Sequence, residues 1–364
     1  MIEQIKKNIK AYPVIKKEFD HYIKGVHTLP QGWTKKKLFW DYLKVRRTRP
    51  NSRVRISEYF IFGLYNLTGV QQDTFMTDYE ATLMMKPHAE ASKKYLWDKR
   101  AFLEEFAPFI HRDWLMVRNA TEEKFLDFAK KNKVVAAKPQ TSSWGIGFQK
   151  LTFPENMDER ELYQKLYQKL YQKDYLLEGY LVSHESLAAF HPHSLNTVRI
   201  VTFRNEEKFQ VFGAGLRVGN NKKAVDNAHG GGIFCEIDTA SGTIVTDGLD
   251  EYGNVYVTHP LTQKKFRGFP IPKWTEMVAL CEKASKELSC IKIVGWDVAL
   301  LADGTLEIIE GNHNPGMNIV QAPAKHGRKE EFRSMITQFY EDSRTGDEAD
   351  RGDGSSSQQL CRCI

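Results

Sequence analysis

The chain lacks any apolar run near the ~18 residues that a membrane-spanning helix requires, and its start lacks a secretory h-region. These absences predict a protein without a membrane span, placed in the cytoplasm. Cysteine is scarce: five among 364 residues, Cys235, Cys281, Cys290, Cys361 and Cys363. Their spacing fits neither a zinc site nor a disulfide framework, and the odd count points to a reducing compartment. No convincing Ser/His/Asp or Cys/His arrangement stands out, which argues against a side-chain nucleophile. Strong charge of one sign is missing too. Lys and Arg number 52 against 46 Asp and Glu, giving +6 net, a mild bias toward anionic partners that disfavours an obligate nucleic-acid binder.

What is present is a globular composition, 41% hydrophobic and 27% charged, in a length that suits two or three domains. The most informative stretch is VGWDVALLADGTLEIIEGNHNPG, Val294 to Gly316. Asp303-Gly304 reads as a two-residue hairpin turn between two strands. If Ala302 pairs with Thr305, Asp297 falls opposite Glu310 and Asn312 opposite Gly295, which leaves room. Two carboxylates and an amide then share one face. Like charges directly opposite destabilise a sheet. A hard divalent cation offsets that repulsion, since Mg²⁺ takes oxygen ligands from one or two carboxylates plus substrate phosphates. The alternative is a solvated acidic face, which the apolar face of Val294, Trp296, Val298 and Leu300 argues against.

Residues 1 to 90 read as mostly helical and basic. Between Gln31 and Arg55 the acid Asp41 stands against nine Lys and Arg, interleaved with Trp33, Phe39, Trp40 and Tyr42. That pattern fits a solvated helical face over aromatic core positions, or a surface for polyanions, phosphorylated substrate or anionic membrane. Ile56 to Leu67 reads as a buried core helix, and Ser92 to Asn119 as an amphipathic helix ended or bent at Pro108. Thr121 reads as the cap of a helix ending near Lys133. Val134 to Pro139 is a buried strand carrying Lys138. The small-residue loop Thr141 to Gly147 and the strand Phe148 to Thr152 follow; this is no Walker loop, since no Gly-Lys-Ser/Thr occurs there. Such a loop offers backbone N–H groups to an anion, or is a simple Gly-rich turn. Leu162, Leu166 and Leu170 predict a helical stripe across the LYQK repeats. Further strands are expected at Tyr175 to Tyr180, Asn196 to Phe203 and Phe209 to Val218. Arg217 shares its face with Gly213 and Gly215, which marks open space above the sheet. His259, with no visible partner, reads as structural. The tail from Arg344 is polar and reads as disordered.

Taken together, SLNTVRIVTF, GLRVGNNKKAVDNAHGGGI, IPKW and the hairpin resemble the ATP-grasp ligases, most closely the sugar-transfer-associated branch related to α-L-glutamate ligases. The resemblance covers roughly residues 90 to 325. It implies an α+β ATP-grasp fold in which two lobes clasp ATP, behind a helical basic N-terminal region. The implied organisation is 1–90 helical, 91–180 N-lobe, 181–330 C-lobe with the metal site, and 331–364 helix end and tail. Lys99 and Lys138 resemble the phosphate lysines, and Ser142, Ser143, Gly145 and Gly147 the phosphate lid. Glu178, Tyr180 and Leu181 resemble the adenine hinge, and Glu185 the ribose acceptor. Arg217, assisted by Arg199, resembles the arginine that steadies the transferred phosphate, and Asn227 the acceptor-side Asn-Gly-Gly segment. Asp297, Glu310 and Asn312 resemble the ligands of Mg²⁺, with Mn²⁺ as a substitute. GNHNPG departs from the commoner small apolar residue between Glu and Asn, yet Gly311 keeps Glu310 and Asn312 on one face. The implied activity is an ATP-dependent carboxylate–amine ligase. Its small-molecule acid and amine would be linked to a sugar, glycan precursor or peptide. Rival readings are a kinase on the same fold and a non-catalytic nucleotide- or polyanion-binding protein. Oligomeric state stays open, a homodimer included.

Overall fold

A computed structural model describes residues 2–86, 92–140, 147–153, 158, 161, 163–172, 174–220, 231–288 and 290–349, the side chains of 2–11, 165 and 340–349 apart. Helices α1 (Ile2–Tyr22), α2 (Lys35–Thr48), α3 (Ile56–Ile61), α4 (Gly69–Asp73) and α5 (Asp78–Met84) come first. Threonines set the starts of three of them. Thr34 caps α2, while Thr68 with Gln71 and Thr77 with Glu80 close reciprocal capping boxes on α4 and α5. The expected core helix from Ile56 is shorter than its apolar run, because Gly63 turns left-handed at φ 68°.

Two antiparallel sheets follow. The smaller has the order β1 (Trp114–Met116), β4 (Tyr175–Gly179), β2 (Val134–Pro139), β3 (Gln149–Thr152). The larger is built from β5 (Thr197–Arg204), β6 (Phe209–Val218), β7 (Ile233–Ile237), β8 (Gly248–Leu249), β9 (Val255–Tyr256), β10 (Ile293–Leu300) and β11 (Leu306–Asn312). Its order is β11-β10-β5-β6-β7-β8-β9. The single helix expected over 92–119 is broken. Asp98 caps a new helix, Lys99–Glu105, by accepting from the backbone of Arg100 and Ala101, and Pro108 lies in a separate short turn before β1. The LYQK stretch is likewise split into a wide turn, Tyr163–Tyr167, and a short helix, Gln168–Gln172, with Leu170 buried and Leu162 outside the described residues.

The faces of the large sheet bury different cores. Val198, Ile200, Ala214, Leu216, Trp296 and Val298 join one cluster with the helices Lys99–Glu105 and Trp274–Ser285. Val201, Phe203, Phe212 and Ile293 join another with the residues of α1 to α3 and the helix beginning at Lys329. The N-terminal helices are therefore a cover for the sheet, which is why Phe39 and Tyr42 of the basic stretch are buried while Trp40 stays exposed. The space above Gly213 and Gly215 is not open. A Cβ there would meet Val320 and Ile319 within 3 Å, so these glycines admit the turn Met317–Val320. Pro315 fills the gap expected beside Gly295 in the same way.

The hairpin reaches its expected pairing by a different route. Leu301 N–H donates to Thr305 O and Gly304 N–H to Leu301 O, both at 2.8 Å, so three residues make the turn. A two-residue type I′ turn needs positive φ at both positions; Gly304 takes 84°, Asp303 does not. Leu300 consequently faces Leu306, one step from the expected register. A bulge at Ile309 then restores it, so Asp297 faces Glu310 and Gly295 faces Asn312.

Arg112 holds that bulge. Its guanidinium donates to Ile308 O at 3.2 Å and Ile309 O at 3.0 Å, and pairs with Glu307 of β11 and, at 2.5 Å, with Glu178 of β4. All three side chains are almost fully buried. One residue thus ties the small sheet to the large one. Removing it leaves two buried carboxylates short of their main cation. Arg112→Ala is expected to cost about 3–5 kcal/mol of unfolding free energy, read from the denaturant midpoint; a cost below ~1 kcal/mol would contradict this role.

Candidate active site

A cavity of about 1000 Å³ lies between the two sheets and the N-terminal helices. Arg199 of β5 shares its face with Val201 and Phe203, and pairs in register with Asp297 of β10. Its Nε and Nη2 grip Asp297 Oδ1 and Oδ2 at 2.5 and 2.8 Å, and Arg217 Nη1 reaches Oδ2 at 2.7 Å. Burial alone would raise the Asp297 carboxyl; the two guanidinium groups overcome it and hold it well below the ordinary carboxylate range. Glu310 across the strand pair behaves oppositely. It is open to the cavity yet walled by protein, and this enclosure, followed by the Asp297 charge, raises its carboxyl. Asn312 donates Nδ2 to Gly295 O at 3.1 Å, which leaves its Oδ1 as an acceptor.

These donors fit an oxygen-seeking divalent cation. Asp297 Oδ2 takes two N–H donors and Oδ1 takes one from Arg199, while Glu310 lies within hydrogen-bond reach of Asp297, so a cation between the two carboxyls would replace that contact. Among the described residues no group of three or more His, Cys, Asp or Glu is placed to hold a metal; the set is two carboxylates and an amide.

The small sheet supplies the opposing charges. Lys138 on β2 pairs with Glu178 of β4 at 2.5 Å, and Lys99 at its helix start donates to Pro139 O and Gln140 O at 3.1 and 2.8 Å. Burial pulls the Lys99 ammonium below its ordinary range against the opposing pull of Glu310. Both lysines line the cavity with Asp297, Glu310, Asn312, Arg199 and Arg217, so one space collects the residues singled out on five separate strands and a helix.

Other expectations fare differently. Tyr180 and Leu181 line the cavity where β4 leaves the small sheet. The Glu178 carboxylate lines the same cavity and is paired there with Arg112 and Lys138. Glu185 is exposed on the short helix Glu185–Ala188, away from the cavity lining. Ser142, Ser143, Gly145 and Asn227 lie outside the described residues, while Gly147 sits at φ 79° beside Pro139. His259 is fully buried, with Nε2 2.7 Å from Gly219 O. Arg112 was not anticipated, because a lone arginine between helix and strand gives no periodic or motif signal.

Glu178 carries a pH signature. Burial would raise its carboxyl, but Arg112 and Lys138 lower it to about 2. A free chain ionises near ~4.3. Its contribution to stability is therefore complete above that value and lost as pH falls toward 2. The difference in thermal midpoint between the wild type and Glu178→Gln is expected to shrink over this window; a constant difference would contradict the pairing.

Residues 159–336 match the family model described as sugar-transfer associated ATP-grasp. No curated protein matches the chain. Among solved structures it is similar to the ATP-grasp ligase PsnB complexed with a phosphomimetic variant of minimal precursor, Mg and ADP, at 14% identity over 68% of this chain and 60% of that one, TM-score 0.40. It is similar to the D-alanine–D-alanine ligase from Coxiella burnetii at 12% identity over 71% and 63%, TM-score 0.40. It is also similar to N5-carboxyaminoimidazole synthase from Aspergillus clavatus at 9% identity over 64% and 52%, TM-score 0.38. The chain thus spans 52–63% of the length of these proteins. The segment matched by the sugar-transfer-associated ATP-grasp model, 159–336, carries Arg199, Arg217 and the Asp297–Glu310–Asn312 hairpin, in a chain of helices and antiparallel sheets.

Proposed function

We propose that the protein is an ATP-dependent carboxylate–amine ligase. One observation carries the reading: Asp297, clasped by Arg199 and Arg217, faces Glu310 and Asn312 on a cavity wall that two lysines oppose. Such a site is built to gather phosphate charge. Glu310, Asn312 and the remaining lone pair of Asp297 would hold Mg²⁺ (or Mn²⁺), which supplies neutralisation of the β- and γ-phosphates. Lys138 and Lys99 would bind phosphate oxygens from the small-sheet side, and Tyr180 and Leu181 would flank the base. Arg199 acts as a positioning residue, since its fork is engaged by Asp297. Arg217 reaches Asp297 through Nη1 and lines the cavity, which suits it to steady the transferred phosphoryl group.

The chemistry needs no side-chain nucleophile. A substrate carboxylate oxygen bonds to the γ-phosphorus while the β–γ bridging bond breaks, releasing ADP. The amine nitrogen then bonds to the acyl carbon, phosphate leaves with the C–O bond's electrons, and the nitrogen gives up a proton. The sugar-transfer association in the family description favours an acid or amine linked to a sugar or glycan precursor, with a peptide as the alternative. Detection of an amide rather than a phosphate ester separates this reading from a kinase.

Asp297→Asn and Glu310→Gln are each expected to abolish acceptor-dependent ADP release from Mg-ATP, assayed with panels of amino acids and sugar acids. Near-normal turnover in either variant would overturn the metal assignment.

A further inference from the structure

The cavity does not end at the metal-side residues. Its far wall is formed by the N-terminal helices, and Arg46, Arg53 and Arg55 line it together with Asp297 and Glu310. Arg53 is held in left-handed backbone at φ 46°, which an ordinary side chain disfavours and which tends to persist at ligand clamps. Its guanidinium lies 4.2 Å from the centre of the Tyr79 ring, fixing its plane. Arg55 Nη1 reaches Asp78 Oδ2 at 3.2 Å, and Asn318 Nδ2 reaches the same oxygen at 3.4 Å.

That relay ties the arginines to the metal side. Asn318 is three residues beyond Pro315, whose carbonyl accepts from Arg199 Nη1 at 2.8 Å. Three residues of chain span at most roughly 11 Å. Asn318 also lines the cavity, and among the described residues its Oδ1 is buried without a hydrogen-bond partner. A buried acceptor in that condition is left for a donor that the protein itself does not supply. The wall is selective rather than broadly cationic, because Glu18, Asp78 and Glu251 line it as well.

We infer that this wall is the recognition subsite for the far end of the acid substrate. The substrate is a bifunctional oxyanion compound. One carboxylate is activated beside Arg217. A second oxyanion, phosphate or carboxylate, is held by Arg53 and Arg55, whose planar forks match either group. A hydroxyl between the two donates to Asn318 Oδ1. This assignment rests on the ligase reading, and it gives the basic N-terminal helices a chemical role.

Calorimetric titration of the full chain, with Mg and a non-hydrolysable ATP analogue already bound, tests it with three probes. 6-Phosphogluconate carries carboxylate and phosphate, glucarate two carboxylates, and gluconate one. At least one bifunctional probe is expected to bind about tenfold or more tighter than gluconate, and which one does so tells phosphate from carboxylate. The Arg53→Ala/Arg55→Gln double variant is expected to lose that advantage while keeping its affinity for the analogue and its circular dichroism. Arg55→Lys should retain part of it. Equal binding of all three probes to the wild type, or an advantage that survives in the double variant, would overturn the subsite. Failure of the ligase reading looks different: the analogue does not bind, or an arginine-dependent probe with ATP and amine produces no ADP.

Discussion

An aspartate cannot sit fully buried as an anion unless cations meet it, and Asp297 is met by two. Arg199 grips both of its oxygens and Arg217 one. Breaking such an arrangement leaves an uncompensated buried charge, which costs several kcal/mol. The clamp therefore fixes where the anion lies and, through the strand pair, where Glu310 lies. With its negative charge already balanced, Asp297 contributes orientation more than attraction. Glu310, whose carboxyl is raised by enclosure and by its neighbour, carries the unbalanced demand for a cation.

The same economy of charge links the two sheets. Glu178 takes Arg112 on one side and Lys138 on the other. Lys138 is thereby held at the cavity by the residue that receives the inter-sheet arginine. Arg112 in turn supports the Ile309 bulge that returns Glu310 to Asp297. A displacement of the small sheet would be felt at the hairpin through this one guanidinium. That coupling gives the fold a physical means of joining phosphate-side and metal-side residues.

Much of the site was legible because strand periodicity is strict. Asp297, Glu310 and Asn312 fall on one face whichever turn joins the strands, provided the register ends even. It did so by compensation: a three-residue turn moved the pairing one step and the Ile309 bulge moved it back. Neither event leaves a mark in the residue pattern, since Asp-Gly serves both turn types. Long-range charge pairing was invisible for a similar reason. Nothing local tells Arg112 that Glu178 and Glu307, distant in the chain, will surround it. Glycines in β6 were read as open space, and the segment Met317–Val320 that fills it comes a hundred residues later.

The N-terminal helices complete the enclosure, turning a sheet face into a cavity wall. All of this converges on whether the hairpin holds a divalent cation with nucleotide. Electron paramagnetic resonance of Mn²⁺ reads that directly, because the signal of the free ion collapses when it is bound. The account predicts that wild-type protein with ADP removes the free-ion signal, whereas Glu310→Gln with the same nucleotide leaves it at the level of Mn²⁺ and ADP alone. Equal loss of signal in the two proteins would contradict it.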